Sequence, residues 1–223
     1  MKVAALYDVH GMPHPLEAVL REVEAERVDA VVFGGDVVAG PLPRETLDLA
    51  RSVDGALFVR GNAERAPDEW LRARLAPEDV ESIGVWPETV ELDGVLYCHA
   101  TPRADNEMVT RISTPERYAT VLAGVANAVV VAGHTHQQHD VTVGDVRFLN
   151  AGSVGMPYEG DGAARWLWVA DGVPELRRTE YDSLAAGRRM LAAWPDARSL
   201  NASLVEPVEP IVVTDIFEGM IHA

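Results

Sequence analysis

Val3-Ala4-Ala5-Leu6-Tyr7-Asp8-Val9-His10 opens the chain with five apolar residues that run into a carboxylate and an imidazole. A short apolar run bounded by polar residues reads as a strand buried on both faces, here Val3–Tyr7. Leu16, Val19, Leu20 and Val23 follow at i, i+3, i+4 and i+7, the stripe of a helix with one apolar face. Ala30–Phe33 repeats the buried run and ends in Gly34-Gly35-Asp36. Arg44–Arg51 reads as a helix, Ala56–Val59 as a third strand before Gly61-Asn62, and Pro67–Ala76 as a helix with Pro in its first turn. The β-α-β-α-β order calls for a parallel sheet with crossover helices.

Beyond residue 85 the pattern changes to hairpins. Thr89–Leu92 and Val95–Tyr97 flank Asp93-Gly94, Val141–Val143 and Val146–Leu149 flank Gly144-Asp145, and Trp166–Ala170 and Pro174–Thr179 flank Asp171-Gly172. A helix over Pro115–Gly124 and a buried strand over Ala128–Ala132 lie among them, and Ser183–Ala193 reads as a closing helix. Two sheets, one from each half of the chain, are the natural way to bury both patterns. Residues 1–194 are expected to form a single domain. The tail 195–223, with an apolar run at Pro210–Phe217, is expected to be extended or packed on the domain or a partner.

The 223 residues carry 19 basic and 35 acidic side chains, a net charge of −16. That balance argues against a broad phosphate-gripping face for DNA or RNA, which needs clustered Lys and Arg. The one cysteine, Cys98, excludes an internal disulfide and a multi-thiolate zinc site and fits a reducing compartment. The one lysine, Lys2, excludes a P-loop lysine. No stretch approaches the roughly 20 apolar residues of a membrane span, and the Val3–Leu6 run is too short for a signal peptide. The expectation is a soluble, cytoplasmic protein.

Chemistry gathers at the ends of the expected strands: Asp8 and His10 after the first, Asp36 after the second, Asn62 after the third, His99 after Val95–Tyr97 and Cys98, and Gly133-His134-Thr135-His136 after Ala128–Ala132. Ligand sites collect at strand C-terminal ends in such architectures. Two carboxylates, four imidazoles and one amide without a thiolate suit manganese, iron, zinc, cobalt or nickel rather than calcium or a structural zinc. Seven donors exceed one tetrahedral site and match two adjacent ions sharing a carboxylate.

The ordered series resembles the calcineurin-like metallophosphoesterases, whose pattern is D-x-H, G-D, G-N-H-D or G-N-H-E, a lone His and G-H-x-H. Asn150-Ala151-Gly152-Ser153-Val154-Gly155 is similar to the N-P-G-S-V-G segment of the family's small bacterial and archaeal members. The likeness spans about residues 1–180. It implies a four-layer α/β/β/α sandwich with two mixed β-sheets and a dinuclear site at one edge. Asp8, His10 and His136 would hold the first metal, Asn62, His99 and His134 the second, and Asp36 would bridge them. Two divalent ions, manganese first, would carry a bridging hydroxide that attacks phosphorus in line. Asp36, Asn62 and His99 are then the expected catalytic groups. Arg103, Asn150 and Ser153 are expected to contact substrate, with Asn150 and Ser153 alternatively orienting ligands.

One departure bears on substrate choice: Gly61-Asn62-Ala63-Glu64 has Ala where the family has His, its usual aid to leaving-group protonation. A small phosphodiester, or an ester with a good leaving group, is the expected substrate. Met12 and Ala100 also stand where relatives often carry Asn and Gly. His14, His139 and His222 match no motif position and are expected at the surface, with His14 or His139 a candidate replacement proton donor. Cys98 and the Trp166/Trp168 pair are expected in the core, a dimer patch being the second reading of the tryptophans. A protein or nucleotide phosphatase and a non-catalytic metal-binding scaffold, like the retromer-coat subunit that shares this fold, are the competing readings, and a homo-oligomer is left open.

Overall fold

The computed structural model describes residues 1–197 and 206–221, so His222 lies outside the described residues. The first half alternates β1 (Lys2–Leu6), α1 (Pro13–Glu26), β2 (Ala30–Phe33), α2 (Pro43–Arg51) and β3 (Ala56–Phe58). These strands pair in parallel, β1 with β2 and β2 with β3, as the β-α-β pattern requires. Pro43 occupies the first turn of α2, where its missing N–H costs nothing.

Of the expected Pro67–Ala76 helix only the short α4 (Glu69–Arg72) forms, flanked by α3 (Asn62–Arg65) before it and α5 (Pro77–Gly84) after it. Asp68 stays extended and its side chain accepts from Leu71 N, so helix begins only at Glu69. Ala76 is extended because it precedes Pro77, whose ring excludes the helical region for its neighbour.

The hairpins follow as β4 (Thr89–Leu92) with β5 (Val95–Cys98), β7 (His139–Val143) with β8 (Val146–Asn150), and β9 (Ala164–Ala170) with β10 (Val173–Thr179). Asp93-Gly94 and Asp171-Gly172 take positive φ at both positions, the mirror-image turn that suits strand twist. Between them lie α6 (Pro115–Val121) and β6 (Val129–Ala132); α7 (Ser183–Ala193) and α8 (Pro210–Ile221) close the chain.

Strand order is β10-β9-β1-β2-β3 in one sheet and β4-β5-β6-β8-β7 in the other. The halves of the chain therefore do not own one sheet each: the third hairpin crosses back and β9 pairs antiparallel with β1. Alternation on β9 shows that both of its faces are apolar and buried. Leu167 and Val169 join the core between the sheets, while Trp166 and Trp168 enter the core under α1 and α2. A strand apolar on both faces needs a covered sheet on each side.

The layers are helices, sheet, sheet, helix. Val3, Ala5, Tyr7 and Val32 of one sheet meet Val95, Tyr97, Val131 and Leu149 of the other. Behind the second sheet Cys98, Val130 and Phe148 pack on Tyr118 and Val121 of α6, so the cysteine is a buried core residue. Among the described residues no helix is long and apolar enough to cross a membrane.

His139 is a correction. It is buried behind the second sheet, not at the surface, with Nδ1 bonded to Gln137 O at 3.1 Å and Nε2 to the Tyr118 hydroxyl at 2.8 Å. Both ring nitrogens are engaged, so it is no replacement proton donor. Burial pushes its pKa down to about 4. The folded chain thus refuses a proton that an unfolded histidine takes near pH 6.5, and stability is lost as pH falls between these values, by up to roughly 3 kcal/mol. In urea unfolding from pH 7 to pH 4, His139→Gln should show a shallower loss of stability than the wild type.

Candidate metal centre

The site forms where β1, β2, β5 and β6 end together. Asp8 and Asp36 follow β1 and β2, His99 follows β5, and His134 and His136 follow β6. Asp8, His10, Asp36, His134 and His136 all have positive φ, between 50° and 69°. Non-glycine residues rarely adopt that region, and such strain persists only where the surroundings enforce it.

The donors converge as two groups. Ligand atoms of Asp8, His10 and His136 lie within 4.8 Å of one another, and so do those of Asp36, His99 and His134. Asp36 faces both groups, with Oδ1 3.6 Å from His99 Nε2 and Oδ2 3.9 Å from His10 Nε2. Asn62 Oδ1 lies 3.2 Å from His99 Nε2, beside the second group.

Three of the imidazoles are aimed by backbone carbonyls. His10 Nδ1 donates to Ala39 O at 3.0 Å, His99 Nδ1 to Gly34 O at 2.9 Å and His136 Nδ1 to Met156 O at 2.8 Å. A carbonyl only accepts, so Nδ1 carries a proton and Nε2 is the atom turned inward, where the neutral ring offers a lone pair, as metal-binding histidines do.

Burial opposes charge on every group here, and mutual attraction overcomes it for most. His136, His10 and His99 hold Asp8 well below the usual carboxylate range, and His99 and His10 do the same for Asp36. In return Asp36 and Asp8 push His99 up to about 10. His134, lowered by burial and by His99, falls to about 4. The carboxylates demand positive charge that the surrounding chain supplies only by protonating histidine.

The donor set fits a divalent cation. Asp8 Oδ1 and His134 Nε2 are buried without a hydrogen-bond partner among the described residues, an arrangement costing about 1–3 kcal/mol each unless a ligand completes them. His10 Nε2 and His136 Nε2 face each other at 3.0 Å. Manganese, iron, zinc, cobalt and nickel all accept nitrogen and oxygen donors of this kind.

Glu64 holds the frame. Fully buried, its carboxylate accepts from Asp36 N at 2.8 Å, Val37 N at 2.8 Å, Val38 N at 3.2 Å and Gly61 N at 3.0 Å. Burial and then the Asp36 charge raise its pKa against the pull of His99 and these N–H groups. A Cβ at position 61 would collide with Asp36 Oδ1 and Glu64 Oε2, which is why glycine stands there. Sequence reading saw Glu64 as an acid in a motif and gave it no role, although its placement three residues after the helix-capping Gly61 is a readable sign of a capping acid.

A second missed residue is Tyr158. Its ring stacks on His136 at 4.9 Å and 14°, its N–H donates to His136 O at 3.2 Å, and its other side meets Phe217 of α8 at 6.3 Å. Gln137 binds the same helix through Pro210 O at 2.7 Å and the Thr214 hydroxyl at 2.7 Å. The tail thus braces the His136 loop.

A model of the calcineurin-like phosphoesterase superfamily domain matches residues 1–169. The chain belongs to this superfamily. Its fold is similar to a metallophosphoesterase from Sphaerobacter thermophilus (TM-score 0.77, 23% identity, 93% of this chain and 100% of that one). It is also similar to a hypothetical protein from Pyrococcus horikoshii OT3 (TM-score 0.79, 15% identity, 93% and 99%). Wild-type Vps29 complexed with zinc, from Entamoeba histolytica, is a more distant structural relative (TM-score 0.51, 18% identity, 80% and 98%). No match was found among curated proteins.

Three expectations for substrate contacts need revision in this member of the superfamily. Asn150 is buried, its amide donating to Gly133 O at 2.5 Å and Thr135 Oγ1 at 3.0 Å while its oxygen accepts from Gly152 N at 2.9 Å. Ser153, also buried, donates to Asp8 O and accepts from Met156 N, both at 2.7 Å. Both brace the ligand loops and have no polar atom left for substrate. Arg103 lines a cavity beside His99, but its Nε and Nη2 bind Glu107 at 2.8 and 2.5 Å and its Nη1 reaches Thr120 O at 3.3 Å. His14 is half-buried with its ring edge toward Tyr181, and Met12 is buried against Ala186 and Met190 of α7.

Glu64→Gln turns one oxygen into an NH2 that faces two backbone N–H groups. It should cost about 2–5 kcal/mol in urea unfolding and lower metal uptake, measured by titration calorimetry.

Proposed function

We propose that this chain is a phosphodiesterase that hydrolyses small phosphate esters at two manganese ions. The observation that carries the reading is the pair of donor groups facing one another across Asp36, with Asp8 Oδ1 and His134 Nε2 buried and lacking a hydrogen-bond partner among the described residues. Asp8, His10 and His136 would hold one ion, Asn62, His99 and His134 the other, with Asp36 between them. Bound there, two ions supply the charge that gathers a phosphate and lower the pKa of water to give a nucleophile near neutral pH.

The chain's own residues do the positioning. Glu64 fixes the Asp36 loop, the three carbonyl-bound imidazoles keep their Nε2 atoms inward, and Ala63 donates its backbone N–H to Asp36 Oδ1 at 3.0 Å. That N–H fixes the carboxylate but protonates no leaving group, and His139 is engaged elsewhere. A departing alcohol therefore receives no help from a protein acid at this position, which favours diesters and esters with good leaving groups. The chain's −16 charge disfavours long polyanions as substrates.

A scaffold is the second reading. It is favoured by the exposed apolar stripe Val212, Ile216 and Met220 on α8, and a Vps29 is among the structural relatives. With manganese, the protein should cleave bis(p-nitrophenyl) phosphate faster than p-nitrophenyl phosphate, and Asp36→Asn should lose bound metal and at least about 100-fold in rate with its circular dichroism unchanged. Faster monoester cleavage would reverse the diester assignment. A background rate unaltered by Asp36→Asn would support the scaffold.

A further inference from the structure

We propose that Arg65 reads a second anionic group on the substrate, a phosphate or carboxylate carried by the alcohol esterified to the reacting phosphate; the inference rests on the phosphodiesterase reading. A cavity of about 120 Å³ opens beside His99, walled by Arg65, Thr89, Thr101 and Arg103. Its position next to the second donor group places it where one ester arm of a phosphate held at that group would extend. Its size suits a compact group of a few heavy atoms.

The charged side chains that line this cavity are Arg65, Arg103, Glu88 and Asp105. Arg103 is consumed by Glu107 and Thr120, as described above. Glu88 pairs with Arg60 at 2.6 Å. Arg65 differs. Its Nε donates to Asp105 Oδ2 at 2.6 Å, and its two terminal nitrogens have no hydrogen-bond partner among the described residues. Asp105 therefore orients the guanidinium without using its fork, as a positioning carboxylate does for a ligand-binding cation. The fork offers donors only, in the geometry that grips carboxylate and phosphate in a bidentate way.

Placement strengthens the assignment. Arg65 ends the single turn of α3 that begins with Asn62, so the residue beside His99 and the Asp105-paired guanidinium share one turn of helix. Glu64, between them in sequence, anchors that turn to the Asp36 loop. Asp105 and Glu88, both on the cavity wall, offset much of the charge, so recognition works through directed N–H donors more than through a broad positive field.

The test compares ethyl p-nitrophenyl phosphate with analogues whose ethyl group ends in a phosphate or a carboxylate, using the manganese-loaded full chain. The wild type should favour the anionic esters in kcat/KM by about tenfold or more, Arg65→Gln should bring that ratio near one, and Arg65→Lys should keep part of it. Separate arms for phosphate and carboxylate show which anion fits. In parallel, calorimetry with ethyl phosphate and 2-phosphoethyl phosphate measures binding without turnover, and only the doubly phosphorylated ligand should lose affinity in Arg65→Gln. Equal ratios and equal affinities in wild type and Arg65→Gln would overturn the subsite. A wild type that binds 2-phosphoethyl phosphate in an Arg65-dependent way yet hydrolyses no ester would overturn the phosphodiesterase reading and support the anion subsite.

Discussion

Two carboxylates, Asp8 and Asp36, are buried at the ends of adjacent parallel strands, and two charges in a dry pocket are tolerable only with positive charge between them. The rest of the edge answers that constraint. Four imidazoles surround the pair, backbone N–H groups of His134 and Ala63 bond its oxygens, and Glu64, itself buried, is held by four N–H donors. Five residues accept left-handed backbone so that their side chains can turn inward. Sites that concentrate strain and like charge in this way are characteristic of function rather than of folding.

Much of this was legible in the sequence, for identifiable reasons. Strands buried on both faces announce themselves as apolar runs, so Ala30–Phe33 and the Asp-Gly hairpins needed no tertiary information. The ligand-type residues were legible because each follows such a run. What sequence could not give was pairing at a distance. Nothing local says that β9 lies beside β1 rather than with the second-half strands, since either sheet would bury its two apolar faces. His139 misled for the same reason: a histidine next to an aspartate on a half-polar strand looks exposed until Tyr118 and Phe148 close over it.

Polar residues near the motifs were the hardest to place. Asn150 and Ser153 sit at a strand end, where substrate contacts and loop braces look alike in sequence. The structure separates them by counting partners. A side chain whose polar atoms are all engaged within the fold has none to spend on a ligand, whereas Arg65, which lines a cavity and has two terminal nitrogens without a hydrogen-bond partner among the described residues, does. Exposure and unspent donors, more than residue type, distinguish the two roles.

The two sheets also explain why the site needs the whole sandwich. Asp8, Asp36 and Asn62 follow the parallel strands of the first sheet, whereas His99, His134 and His136 follow strands of the second. They meet only because the apolar faces stack, a contact sealed beside the site by the Tyr7 hydroxyl donating to Val131 O at 2.9 Å and by His134 N donating to Asp8 Oδ2 at 2.8 Å. Tyr158 then stacks on His136 from outside, itself met by Phe217 of α8. Neither half of the chain holds a complete donor group, so the burial that assembles the core is the same free energy that assembles the centre, and changes in sheet packing should reach the chemistry through the spacing of these donors.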